Sequence, residues 1–155
     1  MKKHLPNIDL VIVALSSPIK IGLYKNGEIF EEIESNEKTS EYLPKIYNEL
    51  KENYHIKKII YARGPGSFMS IKLCYVFLKT LQLTQDIEIQ ACDGFEFSKN
   101  RPIKAMGKLY FTKEDGKISL KKFEEEIESL FELPKNIKDL NLDNSIEPLY
   151  ILPAV

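Results

Sequence analysis

The residue pattern predicts an α/β fold, and three observations carry that prediction. Short apolar runs joined by tight turns fill the chain up to Glu34, the signature of an antiparallel meander. A further apolar run, Lys58–Ala62, leads through a glycine turn into a stretch from Phe68 to about Leu83 that neither glycine nor proline interrupts. That stretch is apolar around almost its whole circumference when wound as a helix, so it belongs inside a layered structure.

Ile8–Leu15 is almost wholly apolar and reads as a strand buried on both faces. Ser16-Ser17-Pro18 turns the chain. Ile19, Ile21 and Leu23 alternate with Lys20, Gly22 and Tyr24, which gives a second strand with one covered face. Asn26-Gly27 is a strong hairpin signal, and Glu28–Glu34 returns as a third strand. After the polar linker Ser35–Ser40, a helix from about Glu41 to Asn53 is expected, with Pro44 in its opening turn. On that helix Tyr42, Leu43, Ile46, Tyr47, Leu50 and Tyr54 fall within an arc of about 140°. The three tyrosines read as a half-buried core edge or as a binding strip.

The glycine turn, Arg63-Gly64-Pro65-Gly66-Ser67, joins the fourth strand to the second helix. Pro65 suits the second position of a type II turn and Gly66 its positive-φ position. Ser67 stands where a side-chain oxygen caps free helix N–H groups. Such a turn serves either as an anion cradle, with Arg63 adding charge, or as a tight connection between strand and helix. It is no P-loop, because Ser67-Phe68-Met69-Ser70 stands where Gly-Lys-Ser/Thr is required, and no dinucleotide fingerprint, because the third glycine is missing. On the helix beyond it, Lys72 and Lys79 share a narrow polar stripe. The apolar remainder needs cover from a partner or from the C-terminal segment. Tyr47, Leu50, Met69, Leu73, Val76 and Phe77 are the partner-binding candidates.

Glu88–Cys92 reads as a fifth strand, and Asp93–Asn100 as a loop or short helix. Ile103–Phe111 and Lys117–Phe123 read as strands flanking the hairpin signal Glu114-Asp115-Gly116. Glu124–Leu133 is expected to form a short acidic helix ended by Pro134. The tail from Asn136 is expected to end as a short docked strand or an extended arm around Leu149–Leu152.

A chain of 155 residues with 43% hydrophobic content holds one substantial core or two small lobes. A net charge of −1 leaves no global field for nucleic acid or membrane. The runs Lys121-Lys122 and Glu124-Glu125-Glu126 read as solvated faces. Cys74 and Cys92, both in apolar surroundings, indicate a reducing compartment, and with His4 and His55 they make no zinc spacing. No stretch has the length of a membrane span or the pattern of a signal peptide, so a cytoplasmic protein is expected.

Ala62-Arg63-Gly64-Pro65-Gly66-Ser67-Phe68 resembles the strand–Gly-Arg-Gly-Pro-Gly-Ser-Phe-Thr-Gly–helix motif of the TsaB (YeaZ) family, the partner subunit of the bacterial tRNA threonylcarbamoyladenosine machinery. Ser40-Glu41-Tyr42-Leu43-Pro44 is similar to that family's His-Ser-Glu-x-Leu-Leu-Pro helix start. Lys104-Ala105-Met106-Gly107-Lys108-Leu109-Tyr110 resembles its Asp-Ala-Arg-x-x-x-x-Tyr strand, and Pro148-Leu149-Tyr150-Ile151 its closing Pro-x-Tyr-Leu. The likeness covers residues 8–92 best. It implies an actin-like ATPase (ribonuclease H-like) lobe, with a five-stranded mixed sheet and packed helices, over residues 1–92. A truncated second lobe and C-terminal arm then take residues 93–155.

The departures bear on chemistry. Leu15-Ser16-Ser17 stands where the family has Asp-Thr-Ser, and leucine offers magnesium no oxygen ligand. Thr39 replaces a histidine, Met69-Ser70 replaces Thr-Gly, Lys72 an arginine, and Cys74 a glycine. The resemblance therefore implies a non-catalytic scaffolding subunit without cofactor, metal or catalytic residues. Its partners would be the catalytic subunit TsaD, met through the two helices, and the ATPase TsaE, with tRNA reached only indirectly. The alternatives are a small ATP-binding kinase, ATPase or peptidase-like enzyme, or a stand-alone homodimer that uses the same apolar strip. Against an enzyme stands the want of a convincing nucleophile–base pair: Ser67 and His55 exist, but nothing in the sequence brings them together.

Overall fold

The computed structural model describes residues 4–128 and 130–151. Its main sheet is formed by β1 (Asn7–Val13), β2 (Ile19–Lys25), β3 (Glu28–Ser35), β4 (His55–Ala62) and β5 (Glu88–Cys92), in the order β3-β2-β1-β4-β5. β2 runs antiparallel to both β1 and β3, while β4 and β5 run parallel to β1. The five-stranded mixed sheet is thus as the family resemblance implies. Asn26 (φ 52°) and Gly27 (φ 85°) both adopt the left-handed backbone that a two-residue hairpin demands.

β1 is central, and its alternation divides the core. Ile8, Leu10, Ile12 and Ala14 face one side, where α1 (Thr39–Lys51) and α2 (Phe68–Gln85) pack. Val11, Val13 and Leu15 face the other, against α3 (Phe95–Ser98) and the chain that follows. The period of two along a strand puts consecutive residues into different cores. α1 begins two residues earlier than expected, so Pro44 lies in its second turn rather than its first and has no N–H to offer the Ser40 carbonyl. Its tyrosines Tyr42 and Tyr47 are core residues.

The second half departs from expectation twice. Residues Ile103–Phe111 are not one strand but parts of two, β6 (Ile103–Met106) and β7 (Leu109–Glu114), because Gly107 (φ 57°) reverses the chain and pairs Met106 with Leu109. β8 (Lys117–Lys122) follows through Asp115-Gly116 and completes a three-stranded antiparallel sheet. The acidic helix expected over Glu124–Leu133 does not form; its described residues are irregular. A short, glutamate-rich helix is weak by itself. Here the glutamates instead pair with Lys99, Lys104, Lys108 and Lys122, and Phe131 is drawn into the core of the sheet's second face.

A 3₁₀ turn at Ile137–Asp139 follows, docked by the Ile137 N–H on the Gly27 carbonyl (2.8 Å). From Asn141 to Ile151 the chain is an extended arm rather than a strand, and Leu152 lies outside the described residues. Among the described residues no helix is long and apolar enough to cross a membrane.

Cys74 and Cys92 are free, buried, and in the two different cores. Burial pushes the Cys74 thiol up to about 12 and raises that of Cys92 as well. Neither thiol is expected to react with an aromatic disulfide reagent at pH 8 until the protein unfolds. Both are then expected to react together, at the rate of global unfolding. Fast labelling of either in the native protein would contradict this core assignment.

Candidate functional site

In open α/β sheets, ligands bind beyond the carboxyl ends of the parallel strands. Here three segments converge at that place: Ala14-Leu15 after β1, Arg63–Ser67 after β4 and Asp93-Gly94 after β5. Their main chains bond directly to one another. The Ser67 N–H donates to the Leu15 carbonyl (2.8 Å), the Gly94 N–H to the Gly64 carbonyl (2.8 Å), and the Arg63 N–H to the Cys92 carbonyl (2.9 Å).

Side chains fill what remains. Leu15 is 2% exposed, and a Cβ built on Gly94 would stand 2.5 Å from its Cδ1. A Cβ on Gly66 would stand 2.8 Å from the Leu15 carbonyl oxygen and 2.9 Å from its Cβ. The crevice is closed by a leucine, at the position where the resemblance would place an aspartate. Among the described residues no cluster of three or more His, Cys, Asp or Glu is arranged to hold a metal. Asp93 is spoken for: its Oδ1 accepts the Phe95 N–H (2.9 Å) and its Oδ2 meets Lys113 Nζ (2.5 Å). That hydrogen bond, more than any other influence, raises the Lys113 pKa.

The glycine turn differs from the type II turn expected. The Gly64–Pro65 bond is cis, and the positive φ falls on Gly64 (127°) instead of Gly66. Gly64 needs to be glycine because the Leu149 backbone carbonyl lies against it, and Gly66 because Leu15 does. Ser67 stands at the N-cap of α2, yet its side chain makes no capping bond. Arg63 does not point toward an open anion site either. Its Nε donates to the Glu147 carbonyl (2.6 Å) and its Nη1 to Asp143 (3.1 Å), with the side chain 15% exposed. Arg63 is the clamp of the C-terminal arm.

The arm is further held by the Leu149 N–H on the Arg63 carbonyl (2.7 Å), by the Tyr61 hydroxyl on the Ile146 carbonyl, and by the Asp143 N–H on the Ala91 carbonyl (2.8 Å). Burial raises the Tyr61 pKa, so the hydroxyl keeps its donor proton. Tyr150 lies on Phe68 with ring centroids 4.5 Å apart. Beneath them is a mainly apolar cavity of about 250 Å³, bounded by Phe68, Met106, Phe111 and Leu149–Ile151. No local signal marks the arm's contacts in the sequence, since Asp143 and Glu147 lie 80 and 84 residues from Arg63. His55 opens β4 and bonds Asn7, at the other end of the strand from Ser67, so the two form no catalytic pair.

The remaining candidates separate by exposure. Tyr47 and Leu50 are buried, the Tyr47 ring meeting Phe77 edge-on at 6.0 Å. Phe77 and Leu73 are half-buried, whereas Met69 (58%), Val76 (53%) and Leu83 (77%) stand in the open. On α2, Met69, Leu73, Val76 and Leu83 share an arc of about 80°. Among the described residues the arm reaches α2 at Phe68, and Met69, Val76 and Leu83 of this outer stripe stay exposed. Thr80 lies within this arc and Thr84 beside it, with hydroxyls turned back onto the Val76 and Thr80 carbonyls. The α2 face is apolar in its hydrogen bonding too.

No protein-family model and no curated protein matches the chain. Solved structures do. YeaZ from Pseudomonas aeruginosa superposes with a TM-score of 0.58 at 12% identity, over 74% of this chain and 64% of that one. A second structure, described as an uncharacterized protein with similarity to peptidase YEAZ from Pseudomonas aeruginosa, gives 0.57 at 14%, over 74% and 63%. The fold is that of an actin-like, ribonuclease H-like α/β lobe, as the family resemblance implies. The chain spans less than two thirds of the length of either structure.

Two substitutions test the site. Arg63→Ala is expected to free the arm, seen as faster hydrogen exchange of the Leu149 amide while the β1 and β4 amides stay protected. Gly64→Ala, which combines a strained φ with a clash on the arm backbone, is expected to cost at least ~1 kcal/mol in denaturant unfolding. An unmoved Leu149 amide in Arg63→Ala would refute the clamp.

Proposed function

We propose that the chain is a TsaB (YeaZ)-type partner subunit, without catalysis of its own. It binds TsaD and supports threonylcarbamoylation of adenosine 37 of tRNA, in the cytoplasm. The observation that carries this reading is the uncovered apolar stripe Met69–Leu73–Val76–Leu83 on α2. A helix is rarely left with such a face in solution unless another molecule covers it.

The closed crevice supports the same reading. With Leu15 packed among Gly66 and Gly94, the superfamily's usual nucleotide position offers neither room nor a carboxylate, so the chain contributes a surface. Residues 93–155 are read as a reduced second lobe and C-terminal arm: the lobe is applied to the sheet face opposite α1 and α2, and the arm meets the helix side at Ile146 and, through Tyr150, at Phe68. That arrangement leaves the outer stripe of α2 free for TsaD, and TsaE is the further partner of the assembled pair. Homodimerisation through the same stripe would compete with TsaD.

Of the six partner-binding candidates, Met69, Leu73 and Val76 carry the contact. Phe77 flanks it, and Tyr47 and Leu50 support the helix pair from within. Val76→Asp and Met69→Asp are each expected to weaken TsaD binding by ~30-fold, about 2 kcal/mol, with thermal unfolding little changed. Pull-down and calorimetry with TsaD measure this. Full affinity in the double variant would rule out the α2 face as the contact.

A further inference from the structure

A second surface lies well away from α2, on the three-stranded sheet. Between Lys99 and Lys122, eight lysine and arginine residues stand against two acids, Glu114 and Asp115. Glu124, Glu125, Glu126 and Glu128 follow at once. In the fold these two blocks meet.

The strand registers place Lys104 opposite Tyr110 and Tyr110 opposite Lys121, one row across β6, β7 and β8. Their neighbours Phe111 and Leu120 point the other way, into the core. Tyr110 thus belongs to the outer face, yet it is 1% exposed. It is covered by Phe123–Glu128, which crosses the row as an irregular strap. The Phe123 N–H donates to the Lys108 carbonyl (2.9 Å), the Phe123 ring meets Tyr110 edge-on at 5.5 Å, and the Ile127 N–H donates to the Tyr110 hydroxyl (2.9 Å). Glu126 pairs with Lys104 (3.6 Å), and Glu124 with Lys108 (3.0 Å) and Lys122 (3.6 Å).

We propose that this outer face binds single-stranded nucleic acid, and that the acidic strap occupies it as an internal stand-in for the phosphate chain. The chemistry matches on both counts. Lys104, Lys108 and Lys121, the last paired with Glu114 of the same sheet, supply ammonium groups for phosphates, and Tyr110, uncovered when the strap lifts, supplies a ring face on which a base stacks. The strap is built to lift. Its ion-paired side chains are at least half exposed, and pairs of that kind are individually weak and screened by salt. An anionic membrane fits less well, because the rings are recessed under the strap and do not project as an apolar fringe.

The test is fluorescence anisotropy with a labelled oligothymidylate at low salt. Glu124→Gln/Glu125→Gln/Glu126→Gln is expected to bind at least ~10-fold more tightly than the parent protein, with the gain fading as salt rises. Glu28→Gln/Glu31→Gln/Glu32→Gln, the same charge change placed on β3, is expected to give no such gain. Adding Lys104→Glu and Lys121→Glu to the first variant is expected to abolish it. The proposal is overturned by any of three results: no gain in the strap variant, equal gain from the β3 variant, or a gain that survives loss of the two lysines. Binding to phosphatidylserine vesicles but not to the oligonucleotide would overturn it as well.

Discussion

At the end of β1 the main chain of Leu15 lies against Gly66, close enough that the Ser67 N–H reaches the Leu15 carbonyl and no side chain fits between them. The other features hang on that contact. It fixes where α2 starts, and so which of its residues meet the sheet: Ile71, Cys74, Leu78 and Leu81. It leaves the opposite stripe, Met69 to Leu83, facing outward. It also seals the crevice where a sheet of this kind would otherwise receive a ligand. One close approach thus both closes that crevice and presents a surface.

The C-terminal arm completes the seal from outside. Arg63, whose charge would suit an anion, is turned onto the arm's Glu147 carbonyl and the Asp143 carboxylate. Gly64 admits the Leu149 backbone. A turn whose residues resemble a phosphate cradle therefore works as a brace, and its glycines are explained by neighbouring backbone with no ligand needed. The two faces of the sheet divide the labour, with the helices on one side and the basic hairpin sheet with its acidic strap on the other.

Much of this could be read from the residues. Period-two alternation, Asn26-Gly27 and the uninterrupted run after Ser67 were enough for the five strands and both long helices, because each signal is local; their union in one mixed sheet came from the family resemblance. That α2 is apolar nearly all round also followed from counting positions around a wheel, though which of its faces stays uncovered did not. What could not be read was set by distant contacts. Arg63 finds its partners 80 and 84 residues on; Gly107 looked like an interior residue of a strand until its pairing made it a turn; and the glutamates of 124–128 prefer lysines of the three-stranded sheet and its turn to a helix of their own. The expectation that Ser67 caps α2 failed for a similar reason, since the helix start is held by the Leu15 carbonyl.

The central claim is that the outer stripe of α2 is a covered surface in the working protein. Hydrogen–deuterium exchange of the chain alone and saturated with TsaD tests it most directly, because it reads the contact without altering a residue. The account predicts slowed exchange over residues 69–83, with β7 and β8 unchanged. Unchanged exchange throughout α2 in a saturated complex would contradict it.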